Sequence, residues 1–74
     1  MFLPSGNIYL FKKVGECLNV MSCDLDSIED FKHELNYLFN KCGYNIDDYE
    51  MAVYKDGDNN IIYKINVSRE TLGL

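Results

Sequence analysis

Side chains able to act as nucleophiles or bases are few in this chain and poorly spaced for catalysis. His33 is the only histidine, and no serine or cysteine stands at helical contact spacing from it to be activated. The adjacent carboxylates Asp47 and Asp48 fall at loop positions, which are usually solvated, whereas catalysis by paired carboxylates needs two acids in a cleft with at least one desolvated. We therefore predict that the protein has no catalytic residue and is not an enzyme.

One loop has part of the spacing of a cation site. Asp56, Asp58 and Asn60 alternate along the chain as the first oxygen ligands of an EF-hand loop do. The pattern then fails, because Ile61 stands where that loop needs glycine and Val67 where it needs a bidentate glutamate. The cysteines and the histidine lack zinc-site spacing, and the isolated glycines form no phosphate-binding loop. We predict no bound metal and no cofactor.

The charge of the chain is concentrated in its middle third. The net charge is −5, and residues 24–50 alone carry eight acidic residues against Lys32 and Lys41, a balance of −6. Seven basic residues are scattered among twelve acidic ones, so the electrostatic footprint of a nucleic-acid-binding protein is missing. An acidic surface attracts basic surfaces and repels phosphate. We expect no direct binding to nucleic acid and a protein partner with a basic surface.

A helix is predicted over residues 26–43. Its apolar side chains recur at helical spacing and form one stripe: Ile28, Phe31, Leu35, Leu38, Phe39 and Cys42. Asp26 is placed to cap the amino end, with Glu29 as its capping-box partner. Gly43 can take the left-handed conformation that commonly ends a helix. His33 falls on the solvated side, opposite the stripe.

On both sides of this helix the apolar residues alternate with a period of two, which is typical of strands. Residues 7–23 predict a β-hairpin that turns near Gly15, and residues 49–67 predict a second hairpin that turns at 56–60. Residues 68–74 are expected to form a short tail that frays. The predicted fold class is α+β: a single ββαββ domain over 1–74, with a four-stranded sheet and one helix packed on one face.

This order of elements resembles the ubiquitin-like β-grasp. The likeness lies in the first strand at 8–12 (IYLFK), the turn at Gly15, a second strand to about Cys23 and the helix opening at 25–32 (LDSIEDFK). It covers about residues 7–55. The resemblance implies a mixed sheet with the first and last strands adjacent and parallel, in the order 2-1-4-3. The terminal di-glycine through which ubiquitin-like modifiers are conjugated is replaced by the ending Leu72-Gly73-Leu74, so no covalent tagging is expected.

The apolar pattern divides the strand residues between two faces. The face turned to the helix is predicted to hold Ile8, Leu10, Leu18, Val20, Met51, Val53, Ile61, Tyr63, Ile65 and Val67. The opposite face then carries Tyr9, Phe11, Met21, Tyr54 and Ile62, together with Ala52 and several polar residues. So apolar a face is unusual for a solvated surface and indicates a contact patch. A register off by one on a strand would instead place part of this patch in the core.

The cysteines and the amino terminus favour a cytoplasmic location. Three cysteines without a C-x-x-C pair do not form a disulfide framework, and Cys17 and Cys23 lie about 20 Å apart in an extended segment. Residues 1–6 lack the basic region and the long apolar run of a signal peptide. We expect free thiols, no membrane association, and a location in the cytoplasm, which is the host cytoplasm if the protein is viral.

Two functional hypotheses of different class follow. The first is a non-catalytic inhibitor that occupies a basic nucleic-acid-binding surface of a partner, such as a host nuclease or nucleic-acid-binding complex. Its binding residues would be Asp26, Glu29, Asp30, Glu34, Tyr37, Asp47 and Asp48. Small acidic proteins rich in Asn, Ile, Lys and Tyr are similar to phage and mobile-element anti-defence proteins, including anti-CRISPR proteins. The second hypothesis is a ubiquitin-like protein-interaction module, or a homodimer, that acts through the apolar sheet face.

Overall fold

A computed structural model describes residues 6–73 of the chain as an α+β fold, with a four-stranded antiparallel sheet and one long helix. The predictions made on residues 1–5 and on residue 74 lie outside the described residues. The elements are β1 (Gly6–Lys12), β2 (Cys17–Cys23), α1 (Ile28–Lys41), a 3-10 turn (Ile46–Asp48), β3 (Tyr49–Lys55), β4 (Ile61–Asn66) and the short α2 (Arg69–Leu72). Among residues 6–73, no helix is long and apolar enough to cross a membrane.

The predicted strand order is wrong. The sheet runs β2-β1-β3-β4 and every neighbouring pair is antiparallel, so the parallel pairing of first and last strands in a β-grasp does not occur. Strand β3 holds three consecutive buried residues, Ala52, Val53 and Tyr54, whereas β4 holds none. A run of apolar residues such as 51–54 suits a strand inside a sheet, and a strand with polar residues such as Lys64 suits an edge. This difference in composition favours β3, rather than β4, as the neighbour of β1.

Helix α1 forms where its apolar stripe predicts, with its amino end shifted by one capping position. The cap is Ser27, whose side chain accepts a hydrogen bond from the Asp30 backbone at 3.1 Å, while the Asp30 carboxylate accepts one from the Asp26 backbone at 3.3 Å. The first bond caps the helix, and the second joins Asp30 to the residue before the cap, in place of the predicted Asp26–Glu29 capping box. At the other end Gly43 has a positive φ of 84°, and the Tyr44 N–H donates back to the Leu38 carbonyl oxygen.

The core lies between α1 and one face of the sheet. Its buried residues are Ile8, Leu10, Phe31, Leu35, Leu38, Ile46, Tyr49, Ala52, Tyr54, Val67 and Leu72. Leu18, Val20, Tyr63 and Ile65 pack against this core as predicted, although they are only half-buried. Cys42, predicted in the stripe, is exposed at the helix end, and Ile61, predicted inside, is 57% exposed.

The predicted register of β3 is wrong by one residue. Ala52 pairs with Leu10 and Tyr54 with Ile8, so both face α1, while Met51 and Val53 face away from it. An irregularity between Phe11 and Lys12 shifts the pairing at the start of β3. The residues at 51–54 are all apolar, so alternation could not distinguish the two faces. Met21 is also corrected, because it pairs with Ile8 and packs against the core.

Tyr54 connects three elements. Its hydroxyl group donates to the Cys23 carbonyl oxygen at 2.8 Å and accepts from the Leu25 N–H at 3.3 Å. Its ring stacks on Tyr63 with centroids 5.9 Å apart. Gly6 is required beside it, because a Cβ atom there would clash with the tyrosine ring. Tyr54 therefore holds the β2–α1 loop against the sheet and is buried in the core, not on the opposite sheet face where it was predicted.

The segment predicted to be a fraying tail contains α2. Ser68 caps this helical turn by accepting from the Thr71 N–H at 3.0 Å, and Leu72 is buried against the core. The Asn36 side chain donates from α1 to the Leu72 carbonyl oxygen at 3.3 Å. These contacts dock residues 69–72 on α1.

Candidate protein-binding surface

One end of the sheet brings together two acidic segments that are distant in sequence. Gly6 pairs with Cys23 and Asn7 with Lys55, so the start of β1 and the ends of β2 and β3 share this end. The β2–α1 loop and the β3–β4 turn both leave from it. We call its carboxylate group the acidic end: Asp24, Asp26, Glu29, Asp30, Glu34, Asp56 and Asp58.

The thiol of Cys23 lies close to two carboxylates of the acidic end, Glu34 and Asp24. Partial burial raises the pKa of Cys23, and the nearby carboxylates of Glu34 and Asp24 raise that pKa further. The two carboxylates come from α1 and from the loop before it. A carboxylate of the helix and one of the loop therefore lie close enough to act on the same partly buried thiol.

The β3–β4 turn holds its carboxylates through its own backbone. Asp56 accepts from the N–H groups of Asn60 and Asp58, both at 2.9 Å, so the turn is organised around one side chain. The hydrogen bond from the Asn60 backbone is the largest cause of a lowered pKa at Asp56. Asp56 therefore stays ionised, and Asp58 lies exposed beside it. From the sequence this turn was predicted only as a hairpin loop. Its position between β3 and β4 could have shown that Asp56 and Asp58 lie at this end of the sheet.

The acidic end accounts for the whole net charge of the protein. It holds seven of the twelve acidic residues and, on the neighbouring surface, only Lys32 and Lys55, which gives −5. The remaining five acidic residues are balanced by five basic ones: Lys12, Lys13, Lys41, Lys64 and Arg69. The charge is thus segregated along the molecule and not spread over a whole helix face.

The predicted acidic residues of the 3-10 turn lie elsewhere. Asp47 is bound by Arg69, with Nη2 and Oδ2 3.2 Å apart, and the Asp48 carbonyl oxygen accepts from the Lys13 N–H. They follow α1, whose 14 residues span about 20 Å. That distance is about two Debye lengths at 0.1 M salt, so Asp47 and Asp48 do not reinforce the acidic end. Tyr37 is 55% exposed in the middle of α1, between the two groups.

The carboxylates of the acidic end are not neutralised within the described part of the chain. The ion pairs between residues 6 and 73 are Lys12–Glu16 and Arg69–Asp47, and neither involves the acidic end. Asp30 is used for capping, whereas Asp24, Glu29 and Asp58 are exposed. Such carboxylates are available to cations on another molecule.

The sheet face that α1 leaves uncovered, which we call the open face, has an apolar centre. Tyr9 lies opposite Val53 and Phe11 opposite Met51 on the two middle strands. Ile62 of β4 extends the strip and is 47% exposed. The Lys55 ammonium group lies 5.0 Å from the centroid of the Tyr9 ring. Of the predicted patch, Tyr9, Phe11 and Ile62 belong to this face, while Met21 and Tyr54 do not.

The described chain offers little to a small ligand. His33 is exposed on α1, and residues 6–73 contain no group of three side chains placed to hold a metal ion. No concave pocket is found on the surface that they form.

No protein-family model, curated protein or solved structure matches this chain.

Proposed function

We propose that this protein is a non-catalytic inhibitor whose acidic end occupies a basic nucleic-acid-binding surface of a partner protein. The supporting observation is the segregation of charge: the full −5 lies at one end, and neither ion pair found between residues 6 and 73 involves a carboxylate of that end. The carboxylates come from a capped helix, a loop tied down by Tyr54 and a hydrogen-bonded turn. Carboxylates held in place in this way can substitute for phosphates before a groove lined with lysine and arginine.

In this proposal the partner is a host nuclease or nucleic-acid-binding complex, and the protein belongs to the anti-defence type found in phages and mobile elements, anti-CRISPR-like in action. It works in the host cytoplasm and does not itself bind nucleic acid, because the acidic end repels phosphate. The inhibition requires no chemistry by the protein's own residues. It requires only that the acidic end bind more tightly than the nucleic acid that it displaces.

The test is a pair of charge reversals with the same change in net charge. The double variant Asp24→Lys, Glu29→Lys reverses two exposed carboxylates of the acidic end. The double variant Asp48→Lys, Glu50→Lys reverses two exposed carboxylates outside it. We expect the first variant to lose about tenfold in affinity per reversal for a basic nucleic-acid-binding partner, and the second to bind nearly as well as the unmodified chain. Binding is measured by calorimetry, with a labelled oligonucleotide as competitor. Equal losses in the two variants would contradict the proposal.

A second candidate function is favoured by the open face. Tyr9, Phe11 and Met51 are half-buried with no layer of the described chain over them, and Ile62 is exposed. A protein-interaction module acting through this face would use these side chains as anchors, and the acidic end would then only keep the domain in solution. Phe11→Ala should abolish binding under this candidate and leave it unchanged under the first.

A further inference from the structure

One lysine beside the acidic end does not bind its carboxylates. Lys55 ends β3 and immediately precedes Asp56, and Asp58 follows in the same turn. Neither of the two ion pairs found between residues 6 and 73 involves Lys55. Opposite charges this close in the chain attract each other, so the position of the Lys55 ammonium group needs a separate cause.

The cause is the ring of Tyr9 on β1. The Lys55 ammonium group lies 5.0 Å from the centroid of this ring. Lys55 pairs with Asn7 and Tyr9 pairs with Val53, so the lysine and the tyrosine are diagonal neighbours on the open face. A long side chain can cross such a diagonal, and the face of an aromatic ring attracts a cation. The contact therefore directs the ammonium group along the open face, away from the turn.

The burial of Val53 agrees with this path of the lysine side chain. Val53 faces away from α1, on the side where no layer of the described chain covers the sheet, yet it is only 1% exposed. It lies opposite Tyr9 and two residues before Lys55 on the same face. Neighbouring side chains must cover it, and the aliphatic stem of a lysine that reaches the Tyr9 ring passes beside this position.

We propose that Tyr9 is a positioning residue for the acidic end, because its ring holds the Lys55 ammonium group over the open face and leaves the carboxylates of the turn available to a partner. Released from the ring, Lys55 would pair with Asp58, and a cation of the partner would then have to displace it. This inference rests on the proposed function. It also differs from the second candidate function, in which Tyr9 would touch the partner directly.

The test compares two variants of Tyr9 in calorimetric binding to a peptide of about ten lysines, a basic probe that needs no identified partner. Tyr9→Leu removes the ring and keeps an apolar side chain, whereas Tyr9→Phe keeps the ring. We expect Tyr9→Leu to weaken binding about two- to threefold and Tyr9→Phe to leave it unchanged. Adding Lys55→Met should abolish the effect of Tyr9→Leu. Adding Lys64→Met, which removes the same charge from the open face on β4, should leave that effect in place.

The position of the lysine is measured separately by NMR. Protons above the face of an aromatic ring resonate at unusually low frequency, and we expect this of the Lys55 ε-methylene protons in the unmodified chain and in Tyr9→Phe, but not in Tyr9→Leu. Circular dichroism checks that each variant is folded. An ordinary Lys55 resonance in the unmodified chain would overturn the proposal even if the peptide binds.

The binding data can also overturn it in two ways. Tyr9→Leu might be expected to act on its own, as an anchor does, and a loss that persists with Lys55→Met would show this. An unchanged affinity in folded Tyr9→Leu would show that Lys55 does not compete for the carboxylates. An unmodified chain that does not bind the peptide at all would instead contradict the proposed function, and this inference would fail with it.

Discussion

At the end of the sheet where β1 begins, loop, helix and turn present exposed carboxylates that no lysine or arginine of the described chain contacts. Outside the acidic end, five acidic residues are balanced by five basic ones, and two of those acidic residues, Asp47 and Glu16, form ion pairs with Arg69 and Lys12. The two ends lie about one helix length apart, which exceeds the reach of surface charges at ordinary salt. The local balance of acidic and basic residues, and not the number of acidic residues alone, therefore decides where this small protein projects negative potential.

The ends also differ in how tyrosines support them. At the acidic end Tyr54 bonds two backbone groups through its hydroxyl, whereas at the opposite end Tyr49 packs through its ring against Phe39 and Tyr44, with centroids 6.0 and 6.3 Å away. One end is therefore fixed by hydrogen bonds to a loop and the other by aromatic packing. The loop that Tyr54 fixes carries Asp24 and Asp26.

The largest expected contrast between the ends is in stability. Tyr54→Phe leaves the Cys23 carbonyl and the Leu25 N–H without this partner in a part-buried position, and we expect a loss of about 1–3 kcal/mol in the free energy of unfolding. Tyr49→Phe keeps the ring and is expected to change stability by less than about 0.5 kcal/mol. Urea denaturation of both variants measures the difference. Equal losses would show that the hydroxyl of Tyr54 has no special role.

A smaller contrast concerns the thiols. Burial and the carboxylates of Glu34 and Asp24 hold the pKa of Cys23 above its ordinary value, so less thiolate is present at mildly alkaline pH. We expect Cys23 to react several-fold more slowly with iodoacetamide than the exposed Cys17, followed by mass spectrometry. Glu34→Gln with Asp24→Asn should speed the reaction of Cys23. No change in its rate would show that the acidic end exerts no potential at this position.

The same shift has a consequence for stability against pH. A pKa that is raised in the folded state means that folding favours the neutral thiol of Cys23. Its contribution is fully present below the pKa of the unfolded thiol and is lost as pH rises through the folded value. Asp56 behaves in the opposite sense, because its pKa is lowered and its contribution is lost as pH falls.

Sequence patterns predicted the parts of the fold that depend on local periodicity. The stripe of α1 placed Phe31, Leu35 and Leu38 in the core, and Gly43 ends the helix with a positive φ. The strand order was not predictable in this way, because the neighbours of β1 are set by contacts between distant segments. The prediction of which β3 residues face α1 failed for another reason, because apolar residues occupy both faces of this strand.

The site was predictable in part. The acidic residues from Asp26 to Glu34 lie together because one capped helix and its loop carry them. Asp47 and Asp48 were grouped with them by sequence distance alone, and the length of α1 separates them. Asp56 and Asp58 were missed although antiparallel hairpins return the chain to the same end of a sheet. Their place could have been found by following strand direction instead of local charge.

The role proposed for the acidic end is tested by the salt dependence of partner binding. Three proteins are compared: the unmodified chain, the double variant Asp24→Lys, Glu29→Lys, and the double variant Asp48→Lys, Glu50→Lys. The affinity of each for a basic nucleic-acid-binding protein is measured between about 0.05 and 0.5 M salt. We expect a steep loss of affinity with salt for the unmodified chain and the second variant, and a much shallower one for the acidic-end variant. Equal slopes for all three proteins would contradict it.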